Sequence, residues 1–255
     1  MRKKLSTLLL VLSLLTAGLS AYKLYEAYIG YQQASEILKE VHQHITTTVI
    51  ELPKEDPVAE KPQEEIVGIN FTALKDINED IFAWIEVPNT NISYPILQSY
   101  NNDYYLNRLM NRKWNPSGSI YLDYRNSQDF NDIHSIIYGH HMKNGTMFAA
   151  LIGYKKQEFY DQNPYFYLIT PTTKYTVSIF SAYSLMPTED AWKRSFESDT
   201  EFENWIADTV KDSLFIPNSI PTSKDRIVTL STCDYNYDDE RFIVVGYIID
   251  EKTLS

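Results

Sequence analysis

The chain holds a single cysteine, Cys233, within Thr-Leu-Ser-Thr-Cys-Asp-Tyr-Asn-Tyr-Asp-Asp-Glu-Arg, residues 229–241. A thiol attacks acyl carbon as its thiolate, so catalysis would need a base or a cation beside it. Arg241 closes the stretch. A guanidinium, with a pKa above about 12, cannot serve as an acid, but it can donate hydrogen bonds to a substrate or a developing oxyanion. Two other readings stay open on spacing alone. Cys233 could be an inert, buried small hydrophobe, and Arg241 could pair with Asp238, Asp239 or Glu240 on the surface.

Histidine is the usual partner of a catalytic thiol. The chain has five: His42, His44, His134, His140 and His141. The spacing of His42 and His44 would suit a metal on a strand, but they stand at the end of a polar helical stretch and read as a solvated helix end. His134 opens a strand-like run, and His140-His141 closes it. Alternation along a strand sends only one ring of that pair toward a given face. Gly139 just before them permits close approach of backbone or ligand. A pair of surface histidines is the competing account.

Holding these groups together requires a scaffold. Short strand-like runs occur at Phe82–Val87, Ser93–Gln98, Ser119–Tyr124, Ile133–His141, Tyr165–Thr170, Tyr175–Tyr183, Arg226–Thr232 and Phe242–Asp250. Turn signals such as Pro88-Asn89-Thr90-Asn91 and Asn115-Pro116-Ser117-Gly118 separate several of them, which predicts a closed or nearly closed barrel. A short helix is expected over Asn70–Asp80, and two helical insertions over Met147–Phe159 and Thr200–Leu214. The second has Phe202, Trp205, Ile206 and Val210 on one face.

The ends of the chain differ in character. Arg2-Lys3-Lys4 precedes an uncharged, Leu-rich run from Leu5 to Tyr22. A basic flank before an apolar run keeps that flank in the cytoplasm and exports the rest, so residues 1–4 read as a cytoplasmic flank and 5–22 as an uncleaved membrane anchor. A signal peptide cut near Ala17-Gly18-Leu19-Ser20-Ala21 is the alternative. Residues 23–68 read as stalk and linker: Glu26–His44 is a polar helix, and Glu51–Glu65 is dense in Pro, Glu and Lys. A folded domain then fills 69–255. A formal charge of −11 argues against nucleic acid as a partner. One cysteine excludes an internal disulfide, and outside the cytoplasm it leaves a free thiol.

Tyr138-Gly139-His140-His141-Met142 and Thr229-Leu230-Ser231-Thr232-Cys233, with Arg241 following, together resemble the signature of class B sortases. So do Ile81-Phe82-Ala83-Trp84-Ile85, Tyr94-Pro95-Ile96, Asn102-Asp103-Tyr104-Tyr105-Leu106 and Gly118-Ser119-Ile120-Tyr121-Leu122-Asp123. The resemblance covers roughly residues 69–250. It implies a mainly β fold, the eight-stranded sortase-type β-barrel with N-terminal helices and a helix inserted between strands six and seven. Thr200–Leu214 fits that helix.

The resemblance also implies an activity, cysteine transpeptidation. Cys233 would form a thioester with a C-terminal sorting signal, His140 would act as acid and base, and Arg241 would stabilise the oxyanion. His141 is the alternative if the register is off by one. Asn102, Leu106, Ser231 and Thr232 are expected to line the substrate groove, and Asp234 to meet a polar signal residue or water. The implied partners are sorting-signal-bearing surface proteins, a peptidoglycan precursor amine and the membrane, with the catalytic domain outside the cell. No metal or organic cofactor is required. A Cys-His peptidase releasing the acyl group to water and a non-catalytic binding module are the other functional readings.

Overall fold

The computed structural model describes residues 2–49, 65–186, 192–233 and 240–254, with the backbone alone for 2–3, 46–49, 65–67 and Cys233. The linker over 51–64, Asp234, Asp238 and Asp239 lie outside the described residues. The chain opens with one continuous helix, α1 (Arg2–His42). Strands β1 (Ile45–Val49) and β2 (Glu65–Ile69) then form an antiparallel pair, with Ile45 opposite Ile69. A short helix α2 (Phe71–Ile77) follows, started by Asn70, whose side-chain oxygen accepts from the Ala73 N–H at 3.1 Å.

All eight expected barrel strands are present: β3 (Ile81–Glu86), β4 (Ser93–Leu97), β5 (Ile120–Leu122), β6 (His134–Tyr138), β7 (Tyr165–Ile169), β8 (Thr173–Leu185), β9 (Ile227–Cys233) and β10 (Arg241–Thr253). They close in the order β10-β8-β7-β3-β4-β5-β6-β9. Closure leaves no unpaired sheet edge. Most pairs are antiparallel, but β4–β5 and β6–β9 run parallel. The parallel β6–β9 pair matters most, because it brings the ends of both strands to the same rim.

The insertion expected over Met147–Phe159 is not one helix. It is a 3-10 segment, Ala149–Lys155, followed by α3 (Gln157–Gln162), with Lys156 extended between them. Gly153 packs so tightly that a Cβ there would lie 2.7 Å from the Phe159 ring. The other insertion is α4 (Asp199–Lys211), between the sixth and seventh barrel strands. Ser198 caps it by accepting from the Glu201 N–H at 3.2 Å, with Asp199 and Glu201 in its first turn and Lys211 in its last.

Apolar side chains divide by strand alternation into an interior and two outer layers. The interior takes Ile85, Ile96, Leu122, Ile137, Leu168, Val177, Val228, Leu230 and Val244 among others. One outer layer packs α1 and α2 on the barrel through Ile37, Val41, Phe71 and Leu74, against Trp84, Leu97 and Tyr121. The end of the expected stalk is therefore buried on the barrel: Val41 is fully buried, and His42 Nε2 lies 2.9 Å from the Ser93 carbonyl oxygen. The second outer layer packs Phe202 and Ile206 of α4 on Ile227, Ile243 and Val245. Strand β6 lies between the two outer layers.

Candidate active site

The backbone register brings the three expected reactive residues to one rim. Cys233 ends β9, and Arg241, the first residue of β10, pairs with it directly. On the other side of β9, Tyr138 pairs with Ser231, and the Gly139 N–H donates to the Ser231 carbonyl oxygen at 3.1 Å. His140 thus follows β6 at the level where Cys233 ends β9. A β-branched apolar run, Ile227-Val228-Thr229-Leu230, carries the thiol to this position, because it fits a strand covered on both faces.

Alternation also settles the face. On β9, Val228 and Leu230 enter the barrel interior, while Ile227 packs under α4. Odd positions of β9 from Ile227 to Ser231 therefore face outward, and the Cys233 backbone continues that strand to its end opposite Arg241. On β10, Phe242 and Val244 point in and Ile243 and Val245 point out, which puts Arg241 outward. On β6, Ile137 points in and His134 meets Thr229 outside, so the continued alternation puts His140 outward. His141 instead forms a bridge with Met147.

His140 and Arg241 each have a defined environment. His140 is half-buried, and its Nε2 lies 2.7 Å from the Leu106 carbonyl oxygen. A carbonyl only accepts, so Nε2 carries the proton and Nδ1 is the acceptor in the neutral ring. The carbonyl sits in a 3-10 turn, Tyr105–Asn107, braced by Gly118 at φ +57°, where a Cβ would lie 2.4 Å from the Leu106 oxygen. Arg241 is half-buried, and its Nη1 reaches the Glu240 carbonyl oxygen at 3.4 Å.

The expected groove residues take different positions. Leu106 is 37% exposed and meets His140 through its main chain. Ser231 shares the outward face of Thr229, and its Oγ accepts from Trp192 Nε1 at 3.4 Å. Thr232 points the opposite way, with its hydroxyl buried and without a hydrogen-bond partner among the described residues. Asn102 has both ends of its amide engaged: Nδ2 donates to Asp123 at 2.9 Å, and Oδ1 accepts from the Tyr124 N–H at 3.0 Å.

Two supporting groups carry no sequence signal strong enough to single them out. Asp123, fully buried, accepts from Arg125, Asn102 and Tyr138. Burial pushes its carboxyl up, but the Arg125 side chain and N–H, with Asn102, outweigh burial and bring it down to about 2. The second is His134, fully buried, with Nδ1 2.7 Å from the Lys193 carbonyl oxygen and Nε2 2.7 Å from Thr229 Oγ1. Burial lowers its pKa to about 4. It ties the segment before α4 to the strand that carries Cys233.

A family model described as the Sortase domain matches residues 85–249. Sortase B of Listeria monocytogenes is 38% identical over 178 residues, 69% of this chain and 72% of the relative. Sortase B of Staphylococcus aureus is 32% identical over 249 residues, 97% of this chain and 98% of the relative. The chain belongs to the sortase family. A solved Staphylococcus aureus sortase B–substrate complex superposes with a TM-score of 0.67 at 33% identity, covering 86% of this chain and 93% of that one. This sortase is of class B, and it is a cysteine transpeptidase. Its barrel, N-terminal helices and α4 are those of its class, and neither the peptidase nor the binding-module reading is favoured.

Proposed function

We propose that this class B sortase works from the outer face of a cell membrane, joining a protein that bears a C-terminal sorting signal to a peptidoglycan precursor amine. Residues 5–22 serve as the membrane anchor behind a cytoplasmic flank at 1–4, residues 23–68 as stalk and linker, and 69–255 as the catalytic domain. One N-terminal helix is long and apolar enough to cross a membrane. The basic residues ahead of it favour an outward-facing barrel.

His140 takes the Cys233 thiol proton on its free ring nitrogen, and the resulting thiolate attacks the scissile carbonyl, its sulfur–carbon bond forming as the carbonyl π electrons move to oxygen. Arg241 donates to that oxyanion. His140 gives a proton to the leaving amine as the C–N bond breaks, leaving a thioester. The incoming amine then attacks the thioester, His140 takes its proton, and the thiolate departs. Of the expected groove residues, Leu106 and Ser231 border the acyl site, Asn102 is a wall position whose amide faces the protein, and Thr232 supports β9 from the opposite face.

The observation that supports this reading is the backbone register that sets the end of β9 at Cys233 beside Arg241 on one side and the chain leaving β6 toward His140 on the other, all at one rim. Incubation with a panel of sorting-signal peptides, with and without an added amine, tests it. An amide adduct that disappears in Cys233→Ala is expected. Release of acid alone in the presence of excess amine would overturn the transfer step.

A further inference from the structure

The anchor helix and the barrel touch at a defined height. At about 1.5 Å per residue, the uncharged run Leu5–Tyr22 is about 27 Å long, close to the roughly 30 Å hydrocarbon core of a bilayer. The headgroup layer adds about 5–8 Å on each side. Tyr25 and Tyr28, exposed by 62% and 57%, fall within or just beyond that layer. Gly30 lies about 12 Å along the axis from Tyr22. There the barrel meets the helix: the buried Asn115 donates its Nδ2–H to the Gly30 carbonyl oxygen at 2.9 Å.

The residue before Asn115 is Trp114, 69% exposed. Together with Tyr22, Tyr25 and Glu26 of α1 it lines a cavity of about 540 Å³ between helix and barrel. Trp114 therefore reaches back toward the level where the apolar run ends. The arrangement has little freedom to swing away, because Ile37 and Val41 bury α1 in the outer layer of the barrel farther along the same helix.

We propose that Trp114 is a second membrane contact, seated in the headgroup layer of the bilayer that α1 crosses. Continuity with the spanning run identifies the partner as a lipid surface. Tryptophan suits that layer, since its ring is largely apolar while its N–H can find a polar partner. The neighbouring Lys113 is exposed and can meet lipid phosphates. Met142 lines the same cavity two residues after His140, so this contact fixes the reactive rim close to the membrane surface. The contact rests on the reading that α1 spans the membrane.

The test uses the full chain reconstituted in vesicles of phosphatidylcholine and phosphatidylglycerol, with acyl chains either plain or brominated near the headgroup. Tryptophan emission is compared for the wild type and Trp114→Phe. Trp84 is fully buried and serves as an internal reference. The bromolipid-quenched component is expected to fall at least about twofold in the variant. Equal quenching in both chains, with both floating with the vesicles, overturns the contact alone. Failure of the wild type to float overturns the spanning reading and the contact with it.

Discussion

His134 and His140 share the outward face of β6 and its continuation, yet His134 is fully buried with both ring nitrogens engaged, while His140 is half-buried at the rim with Nε2 on a carbonyl. At His134 the Lys193 carbonyl fixes the proton on Nδ1, so Nε2 must accept from the Thr229 hydroxyl. The Trp205 ring, 5.0 Å away between centroids, seals it. Such a ring is a neutral structural tie. At His140 the same kind of carbonyl contact fixes the other tautomer and leaves Nδ1 as the acceptor. The fold thus uses one side-chain type to hold the barrel to its α4 cover and, we propose, to move protons where the cover ends.

The largest expected effect separates the two. His140→Ala should lower kcat/KM for transpeptidation by about a thousandfold, with little change in Tm. His134→Ala should do the reverse. It removes both ring contacts, to the Lys193 carbonyl and the Thr229 hydroxyl, and opens a cavity, lowering stability by about 2 kcal/mol while most of the rate survives in the folded fraction. Paired kinetics and thermal melts read both. A rate loss in His134→Ala as deep as in His140→Ala would end the comparison.

Their contrast was only partly legible in the sequence. Strand positions were legible, because Val, Ile, Tyr and Phe runs between turn residues leave few other structures, and α4 was announced by its apolar stripe. The face of His140 depends on Ile137 entering the interior, which neighbouring residue types do not announce. The role of His134 was hidden because its partners, Lys193 and Thr229, come from distant parts of the chain. The Leu106 carbonyl was hidden for a different reason: a main-chain acceptor carries no residue signature. Asn102 resembled a groove residue, while its amide is engaged by Asp123 and Tyr124.

Titration sharpens the contrast next. His134 takes up a proton near 6.5 when unfolded but only near about 4 when folded, because burial disfavours the charged ring. Below pH 6.5 the unfolded chain therefore binds more protons, and stability falls as pH drops toward about 4. The slope is about 1.4 kcal/mol per pH unit, to a total of about 3 kcal/mol. Above 6.5 both states are neutral there and the contribution vanishes. Asp123 does not confuse this window, since its stabilising contribution is lost only as pH falls from the unfolded carboxylate range through about 2. Urea midpoints at about pH 7 and about pH 5 should therefore converge in His134→Gln relative to the wild type. An unchanged gap would mean that His134 is not the titrating group.

A smaller effect is expected at the brace behind His140. Gly118 has φ +57°, and a Cβ there would lie 2.4 Å from the Leu106 carbonyl oxygen and 2.8 Å from that of Tyr105. Gly118→Ala should lower stability by about 1–2 kcal/mol. Unlike an ordinary strained turn, it should also displace the acceptor of His140 Nε2. Nitrogen-15 shifts of the ring report the tautomer, and a mixture of tautomers in the variant against one in the wild type is the expected signature.

Leu106→Ala should have the smallest effect, and the reason is where the contact is made. Its side chain is 37% exposed, while the bond to His140 comes from its carbonyl, which alanine keeps. The 3-10 turn is held by main-chain bonds that alanine also keeps, Ser119 N–H to the Tyr105 carbonyl at 3.0 Å and Asn115 N–H to the Asn107 carbonyl at 3.0 Å. The His140 tautomer should therefore be unchanged. Any loss should fall in KM, by about threefold or less, as apolar contact with substrate is trimmed. A fall in kcat with KM preserved would instead mean that the leucine side chain positions the ring, and the distinction between a main-chain acceptor and a side-chain wall at this rim would be lost.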